Sequence, residues 1–437
     1  MHDFATICLL LCCCLPFWVV LPARYIAVFA RILKTNALAG NQPSEFPAEF
    51  PKATIILCLR GSDPFLSDCL TSLLAQDYPN YSLHIIVDSL EDPAMAVVNQ
   101  HLHKAPEETC GCCGSKSAAT VPVTVSPLRF KYPTCSLKCS ALLQAISELS
   151  PDCEVIALAD ADTIAHPAWL RDLVYPLADP EVGVTTGNRW YLPRDTQWGS
   201  LFRYLWNASA ITYMVNQDIP WGGSLAIKTQ VLQDCGVLKQ WRESFVEDVP
   251  LREAIQAKGL RVHLVPSAIM VNQESCTVGS FMRWRQRQEL ATWLYHPKYK
   301  DLINYCIVLI GLLLLAYGGF GWSLFTQQWN RAAWFALPLG LSFAIALLLQ
   351  QWVERELKQI LQARQIQVLP FSASASLKLV LAMLAGQLWG NAMLVLSARL
   401  REVEWRGITY KISSCKVQLV EYRPYKPLAQ AVTSSSL

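Results

Sequence analysis

Four apolar segments set the first limit on how this chain can fold. They cover roughly Ile7–Phe29, Asn304–Phe325, Ala332–Trp352 and Leu377–Leu396, and an α-helix needs about 20 apolar residues to cross the hydrocarbon core of a bilayer. The 437-residue chain is 52% hydrophobic and only 16% charged, whereas soluble domains carry about 25% charged residues. The sequence therefore predicts a multi-pass integral membrane protein.

The first segment is predicted to be a membrane anchor rather than a cleaved signal. Its start, Met1-His2-Asp3, lacks the positive charge that is typical of a signal peptide. Arg24, Arg31 and Lys34 lie at its C-terminal end and beyond, and the positive-inside rule places such residues in the cytosol. Residues 1–34 are therefore expected to anchor a cytosolic domain.

Residues 35–300 have the pattern of a soluble α/β domain. Continuous apolar runs end at polar residues in Ala53–Leu59, Leu83–Asp88 and Glu154–Asp160, with helix-like stretches at Phe65–Gln76 and Ser136–Leu149. Such runs indicate strands that are buried on both faces, which is typical of parallel sheets covered by helices. The predicted fold class is α/β with a mainly parallel sheet, and ligands are expected beyond the carboxyl ends of its strands.

The C-terminal part poses a question of membrane topology. Residues 301–400 are predicted to hold three membrane segments and an interfacial helix near 353–366, followed by a tail over 401–437. Three full spans after a cytosolic domain would place this tail outside. Its basic residues favour the inside instead: Arg399, Arg401, Arg406, Lys411 and Lys416. Either one segment is re-entrant, or the tail lies back on the cytosolic domain.

Acidic residues at predicted strand ends are candidate metal ligands. Asp160 and Asp162 follow a buried strand directly, and Asp88 ends an earlier one. Two carboxylates this close repel each other unless a cation lies between them, and Mg²⁺ or Mn²⁺ takes such oxygen ligands together with phosphates. For the pair alone, a strand end with a helix cap is the alternative interpretation.

A second acidic pair precedes a predicted helix. Glu247 and Asp248 are followed by an apolar-periodic stretch, and carboxylates at a helix N-terminus are stabilised by the helix dipole, which would explain the pair on its own. Functionally, Asp248 could accept a proton from an acceptor hydroxyl as a general base. Upstream, Gly222 and Gly223 either form a plain turn or let the backbone approach a sugar or diphosphate.

A basic and aromatic segment lies just before the second apolar segment. It contains Arg283, Trp284, Arg285 and Arg287. It is either a belt at the membrane surface or a site in which an Arg binds a diphosphate beside an aromatic ring that stacks on a sugar.

Charge and cysteine content argue against two other kinds of protein. A net charge of +3 without a basic stripe predicts no nucleic-acid partner. Several of the sixteen Cys, such as Cys12 and Cys306, lie in apolar segments, so a disulfide framework is not expected. The Cys-rich stretch at Cys110–Cys113 matches no standard four-ligand zinc spacing, and we interpret it as a loop insert.

The combination of these motifs resembles the family 2 glycosyltransferases with a GT-A fold. Three further stretches are similar to the ceramide glucosyltransferase-like branch, which includes bacterial relatives that act on hopanoid and other lipids. These stretches are Leu59–Val87, Glu91–Ala94 ("EDPA") and Trp405–Ile412 ("WRGITYKI"). The resemblance covers nearly the whole chain, apart from the Cys-rich insert and about the last twenty residues.

The resemblance implies roles by position. Asp248 is implied as the catalytic base, Asp160 and Asp162 as ligands of a Mg²⁺ or Mn²⁺ ion, and Asp88, Asp92, Lys138, Arg283 and Trp284 as donor-binding residues. Gly222 and Gly223 are predicted donor-binding residues because of the backbone approach described above. Asp92 is a second candidate for the role of Asp88. The motif departs from the family at one place, because Ser280 stands where a Gln or Arg is expected; Arg285 and Gln286 are candidates to replace it.

The activity implied is inverting transfer of a single sugar, with glucose expected, from a UDP-sugar to a lipid hydroxyl at the cytosolic membrane face. A processive polysaccharide synthase is the first alternative, although three C-terminal segments are few for a polymer channel. A catalytically inactive lipid-binding or scaffold relative is the second; Asp160, Asp162 and Asp248 argue against it and Ser280 argues for it. A transporter fits least, because polar residues do not interrupt the middle of the apolar segments.

Overall fold

The computed structural model describes residues 2–40, 50–102, 121–296, 298–364, 366, 371–413 and 416–425. These residues form two compact units. The helical unit comprises the described parts of 1–34, 192–216 and 275–400, and the α/β unit comprises those of 35–191, 217–274 and 401–437. The Cys110–Cys113 stretch lies outside the described residues.

The α/β unit is built on a seven-stranded sheet. Its strands are β1 Ala53–Leu59, β2 Tyr81–Val87, β3 Val123–Pro127, β4 Val155–Ala159, β5 Val182–Tyr191, β6 Ser224–Lys228 and β7 Arg261–Asn272. The strand order is β3-β2-β1-β4-β6-β5-β7. Only β6 is antiparallel to its neighbours, and the remaining pairs are parallel. The expected α/β fold with a mainly parallel sheet is confirmed.

The central strands are apolar along their whole length because both faces are covered. All five residues of β4 are buried, as are six of the seven in β1. Burying a side chain such as Ile55 or Ile56 stabilises the fold by roughly 1.5–3 kcal/mol. The parallel register pairs Leu59 with Val87 and Leu57 with Ala159. The loops after β1, β2 and β4 therefore begin at the same edge of the sheet.

Helices connect these strands. The helices of both units are, in chain order, α1 His2–Val20, α2 Ala23–Gly40, α3 Leu66–Leu74, α4 Ala94–Leu102, α5 Leu137–Ser147, α6 Trp169–Val174, α7 Trp198–Asn216, α8 Thr229–Asp234, α9 Val237–Trp241, α10 Asp248–Ala257, α11 Val278–Tyr295, α12 Tyr299–Phe325, α13 Trp329–Ala363 and α14 Ala373–Ser397. A short 3₁₀ helix follows α6 at Tyr175–Ala178.

The helical unit carries the apolar segments. Within the described residues, four stretches are helical, long and apolar enough to cross a membrane: Leu10–Asn36, Tyr299–Phe325, Trp329–Ala363 and Ala373–Ser397. Their apolar side chains are largely exposed; Leu315 is 60% exposed and Leu348 is 64% exposed. Exposed apolar surface of this extent is typical of contact with lipid. The prediction of apolar helices near the N-terminus and in the C-terminal part is confirmed, and these helices indicate a membrane protein.

The two units interleave along the chain. The predicted cytosolic segment 35–300 contains α7 and α11, whose residues belong to the helical unit. The predicted interfacial helix near 353–366 is continuous with α13, which runs without a break from Trp329 to Ala363.

The C-terminal tail forms a small antiparallel sheet in the α/β unit. Its strands are β8 Glu402–Trp405, β9 Ile408–Ser413 and β10 Lys416–Tyr422, in the order β10-β9-β8. Arg406 and Gly407 join β8 to β9, both with positive φ (49° and 77°), as a type I′ hairpin requires. Leu419 N donates to the Pro133 carbonyl oxygen (2.7 Å). The tail therefore lies on the α/β domain, one of the two possibilities that the sequence left open.

Candidate active site

A lysine joins two acidic segments at the carboxyl edge of the sheet. Lys138 lies in the first turn of α5, where the Ser136 side chain caps the helix by accepting from Cys139 N (3.1 Å). The Lys138 ammonium lies 2.6 Å from Asp160 Oδ1 and 2.5 Å from Glu247 Oε1. It therefore brings the end of β4 next to the start of α10, as charge-assisted hydrogen bonds of this length are strong.

Asp162 lies near other carboxylates. Its Oδ2 accepts a hydrogen bond from Asn272 Nδ2 (3.1 Å). Burial and the neighbouring charges of Asp160, Asp63 and Glu274 raise its pKa to about 7. A carboxylate in this setting favours either a proton or a cation beside it.

The carboxylate oxygens at this edge suit a divalent ion that also binds oxygens of the substrate. Asp160 and Asp162 offer hard oxygen ligands, which Mg²⁺ and Mn²⁺ prefer. In the part of the chain that the structure describes, no group of three or more His, Cys, Asp or Glu side chains could hold a metal by itself. The residues fit an ion that takes its remaining ligands from a diphosphate and water.

Asp248 is the first residue of α10. Its Oδ1 accepts from the Val249 backbone N–H (2.8 Å), and its position suits the helix dipole. Burial, followed by the adjacent charge of Glu247, raises its pKa to about 7. A carboxyl group with that pKa can accept a proton near neutral pH, which is the property of a general base.

The paired glycines lie against this acidic edge, at the turn into β6. A Cβ atom at Gly223 would lie 2.5 Å from Asp160 Oδ2 and would also overlap the Trp221 ring. A Cβ atom at Gly222 would collide with the Glu247 carboxylate. The turn can therefore approach both carboxylates only because these positions have no side chain.

The two candidate residues after β2 have different surroundings. Asp92 accepts three hydrogen bonds from backbone N–H groups, two from Gly61 (2.9 and 3.0 Å) and one from Ala94 (2.9 Å). Asp88 instead contacts side chains: its Oδ2 accepts from Arg60 and from Tyr422 Oη (2.8 Å). Asp92 thus holds the loop backbone together, whereas Asp88 belongs to a side-chain cluster.

The structure brings in residues to which the sequence analysis gave no role in the site. Glu247, considered above only as the neighbour of Asp248, shares the Lys138 ammonium with Asp160. Asp63 follows β1 and pairs with Arg406 of the tail. Burial raises its pKa despite this partner. Arg406 lies in the "WRGITYKI" stretch, but the local sequence does not indicate that its partner is Asp63, 343 positions away.

The basic and aromatic segment lies in the helical unit, where α11 contains it. Ser280 forms a capping box at the start of this helix: Ser280 N donates to Thr277 Oγ1 (3.2 Å) and Thr277 N donates to Ser280 Oγ (3.1 Å). This explains why a small hydroxyl residue stands at this position of the motif. Arg285 does not take its place, because it pairs with Glu289 (2.8 Å) and the Gly390 carbonyl oxygen (2.7 Å).

The two predicted donor contacts of α11 differ in exposure. Trp284 is only 3% exposed and packs edge-on against Trp206, with ring centroids 4.9 Å apart. Arg283 is exposed. A role of either residue in donor binding stays a prediction.

Comparison with known proteins gives one family match. The sequence profile described as glycosyl transferase family 21 matches residues 17–417. This is a ceramide glucosyltransferase-like family, so that part of the expected resemblance is confirmed, under family number 21 instead of 2.

Three solved structures are similar over different shares of the chain. A mannosyltransferase from Pyrobaculum calidifontis, in complex with GDP-Man and Mn²⁺, is 15% identical with a TM-score of 0.44, covering 89% of this chain and 99% of that chain. Glucosyl-3-phosphoglycerate synthase from Mycobacterium tuberculosis, in complex with Mn²⁺, UDP and glucosyl-3-phosphoglycerate, is 12% identical (TM-score 0.35; 56% and 84% covered). Residues 1–349 of TarS from S. aureus are 13% identical (TM-score 0.34; 86% and 98% covered).

Proposed function

Because the chain belongs to glycosyl transferase family 21, we propose that this glycosyltransferase moves a single sugar from a UDP-sugar to the hydroxyl of a membrane lipid. One observation carries the proposal. The Lys138 ammonium joins Asp160, one of the two candidate metal ligands, to Glu247, the residue next to the candidate base Asp248. Groups for leaving-group departure and for proton transfer thus belong to one connected cluster.

The donor would lie along the carboxyl edge of the sheet. Asp88 is proposed to bind the nucleoside, and Lys138 the diphosphate. Gly222 and Gly223 remain proposed donor contacts, at a turn that approaches the Glu247 and Asp160 carboxylates. Arg283 and Trp284 remain proposed donor contacts, and glucose is the sugar that the family resemblance favours.

Asp160 and Asp162 would hold the divalent ion, which supplies a positive charge where the departing nucleoside diphosphate becomes more negative. The fit rests on the oxygen donors and on the pKa of Asp162, which burial and the neighbouring carboxylates raise to about 7. Lys138 would hold Asp160 in place from the opposite side, because its ammonium already contacts Oδ1.

Asp248 would accept the proton of the lipid hydroxyl as the hydroxyl oxygen attacks the anomeric carbon. The bond between that carbon and the phosphate oxygen breaks, and the electron pair leaves with the diphosphate. Attack from the face opposite the leaving group inverts the anomeric centre, so an α-linked donor gives a β-glycoside. The Lys138 ion pair would anchor the neighbouring Glu247 at the helix start.

The acceptor is proposed from the membrane helices. A lipid can keep its acyl chains in the bilayer while its hydroxyl lies at the headgroup level, where a membrane-anchored enzyme can reach it. We place the α/β unit on the cytosolic side, in accordance with Arg24, Arg31 and Lys34 near the first apolar helix.

Incubation of the purified full-length protein with labelled UDP-glucose, Mn²⁺ and extracted membrane lipids tests the proposal. We expect label in a lipid that carries one sugar, identified by mass spectrometry, and no label with the Asp248→Asn variant. Label in a long water-soluble polymer would indicate a processive synthase instead. Binding of UDP without any transfer would indicate an inactive relative.

A further inference from the structure

The C-terminal sheet is joined to the loop after β1 by reciprocal contacts of two arginines. Arg60 donates from Nε (3.1 Å) and Nη2 (2.7 Å) to the Arg406 carbonyl oxygen, and from Nη2 to that of Arg423 (2.6 Å). Arg406 in turn donates to the Arg60 carbonyl oxygen and pairs with Asp63. Backbone and side-chain groups on both sides are therefore used, which is typical of a permanent contact.

The same loop also makes room for an aromatic ring of the tail. Gly61 has a φ of +77°, and a Cβ atom there would lie within 2.7 Å of the Tyr425 ring. A left-handed backbone favours glycine in any case, but here the absent side chain also makes room for an aromatic ring of the tail.

The tail also reaches Asp88, the proposed nucleoside-binding residue. Tyr422 Oη donates to Asp88 Oδ2 (2.8 Å), the oxygen that also accepts from Arg60. The Tyr422 ring contacts two cations, with Arg60 Cζ 5.1 Å and Lys131 Nζ 4.6 Å from its centroid. Both contacts hold the ring in place, so the hydroxyl is aimed at one carboxylate oxygen.

The other oxygen of Asp88 is left without a donor. Oδ1 is buried and makes no hydrogen bond among the described residues. The Lys131 ammonium lies 3.8 Å away, beyond hydrogen-bonding distance, and its side chain is 28% exposed. Leaving a buried acceptor unsatisfied is unfavourable. A ligand N–H group that entered beside Oδ1, as the flexible Lys131 side chain moved aside, would satisfy it.

We propose that the C-terminal sheet is a wall of the donor site, in which Tyr422 is a positioning residue that turns Asp88 Oδ1 towards an N–H group of the donor's nucleobase. This inference rests on the proposed function, since it assumes a nucleotide-sugar donor. It gives the C-terminal tail a role in donor binding, whereas the reaction described above involves no residue of the tail. The competing interpretation is that the tail blocks the donor site and must leave before the donor binds. The reciprocal arginine contacts and the Tyr425 ring beside Gly61 favour a tail that stays in place.

The Tyr422→Phe variant tests this role. It keeps the ring beside Arg60 and Lys131 and removes only the hydroxyl that holds Asp88. We expect the Kd for UDP, measured by calorimetry on the full-length protein with Mn²⁺, to rise about fivefold, a change of the size that one ordinary hydrogen bond contributes. The Kd for inorganic pyrophosphate, which lacks a nucleobase, should stay within about twofold of that of the wild type because it makes no contact with Asp88.

Two comparisons separate positioning from general loss of structure. Lys411→Gln changes an exposed residue of β9 in the same sheet, and we expect its UDP affinity and thermal unfolding midpoint to match those of the wild type. In an Asp88→Asn background, Tyr422→Phe should weaken UDP binding no further, because it acts through the same carboxylate.

Three results would overturn the inference. The first is an unchanged Kd for UDP in Tyr422→Phe. The second is a lower Kd for UDP, which is expected if the tail blocks the site. The third is equal weakening of UDP and pyrophosphate binding, which is expected from a general structural defect. If the wild type binds UDP and transfers sugar, such results refute the role of the tail alone. If the wild type binds none of UDP, GDP and CDP, the proposed function fails and the inference fails with it.

Discussion

Asp248 has the property that the proposed reaction requires of a base, and its pKa gives a testable pH dependence. Burial raises this pKa to about 7, so the carboxyl group is protonated below that pH and ionised above it. Only the ionised form can accept a proton. We expect kcat/KM for transfer to fall about tenfold per pH unit below pH 7 and to level off above it.

The Asp248→Asn variant separates catalysis from helix capping. Asparagine keeps an oxygen that can accept from Val249 N, so the helix start and UDP binding should persist. We expect transfer to fall by roughly 10²–10⁴-fold, the usual contribution of general base catalysis. Retention of transfer within a few-fold of the wild type would assign Asp248 a structural role only.

A substitution at Asp162 tests the proposed metal site directly. Asp162→Asn removes one charged ligand while keeping an oxygen that can accept from Asn272. We expect Mn²⁺ to increase UDP affinity in the wild type and not in the variant. We also expect the variant to lose turnover, and the wild type to lose it when EDTA is in excess. Wild-type activity that persists in excess EDTA would exclude the metal role.

At the scale of elements, the close packing of the turn before β6 predicts that a small substitution there lowers activity. Gly223→Ala would place a Cβ atom 2.5 Å from Asp160 Oδ2, so the carboxylate or the turn must shift. A misplacement of about 1 Å in a catalytic group can cost up to 10²-fold in rate. We expect kcat/KM for the donor to fall by about tenfold or more. Gly340→Ala in α13 is the control, because nothing lies within 4 Å of its added Cβ atom.

The tail predicts the topology of the C-terminal helices. Its sheet belongs to the same unit as β1 to β7, so the chain leaves and re-enters that unit on one side of the membrane. Three long apolar helices, α12 to α14, lie between. An even number of crossings is required, and we expect that one of the three does not cross completely.

Epitope tags in sealed membrane vesicles can check this topology. A tag at the C-terminus and a tag inserted between residues 103 and 120 should be accessible to protease from the same side. Opposite accessibility would show that all three helices cross and that the tail is separated from the sheet.

At the scale of the whole molecule, each unit has its own means of stability. The α/β unit buries continuous apolar strands between helices, whereas the helical unit leaves apolar side chains exposed that a bilayer would cover. The sequence pattern distinguishes the buried strands of one unit from the apolar helices of the other. It does not assign α7 and α11, because neither is recognised from its sequence as a membrane span. Only their packing assigns them to the helical unit.

The sequence by itself determined three strands of the main sheet (β1, β2 and β4), the apolar helices and the acidic residues that follow these strands. Each follows from a local pattern: apolar runs and their period decide which elements form, and parallel strands bring their carboxyl ends to one edge. Only the tertiary structure decided that Glu247 shares Lys138 with Asp160, and that Arg406 and Tyr422 return to Asp63 and Asp88. These contacts join residues up to 343 positions apart. A local pattern carries no information about such pairs, because the packing of whole elements determines which side chains meet.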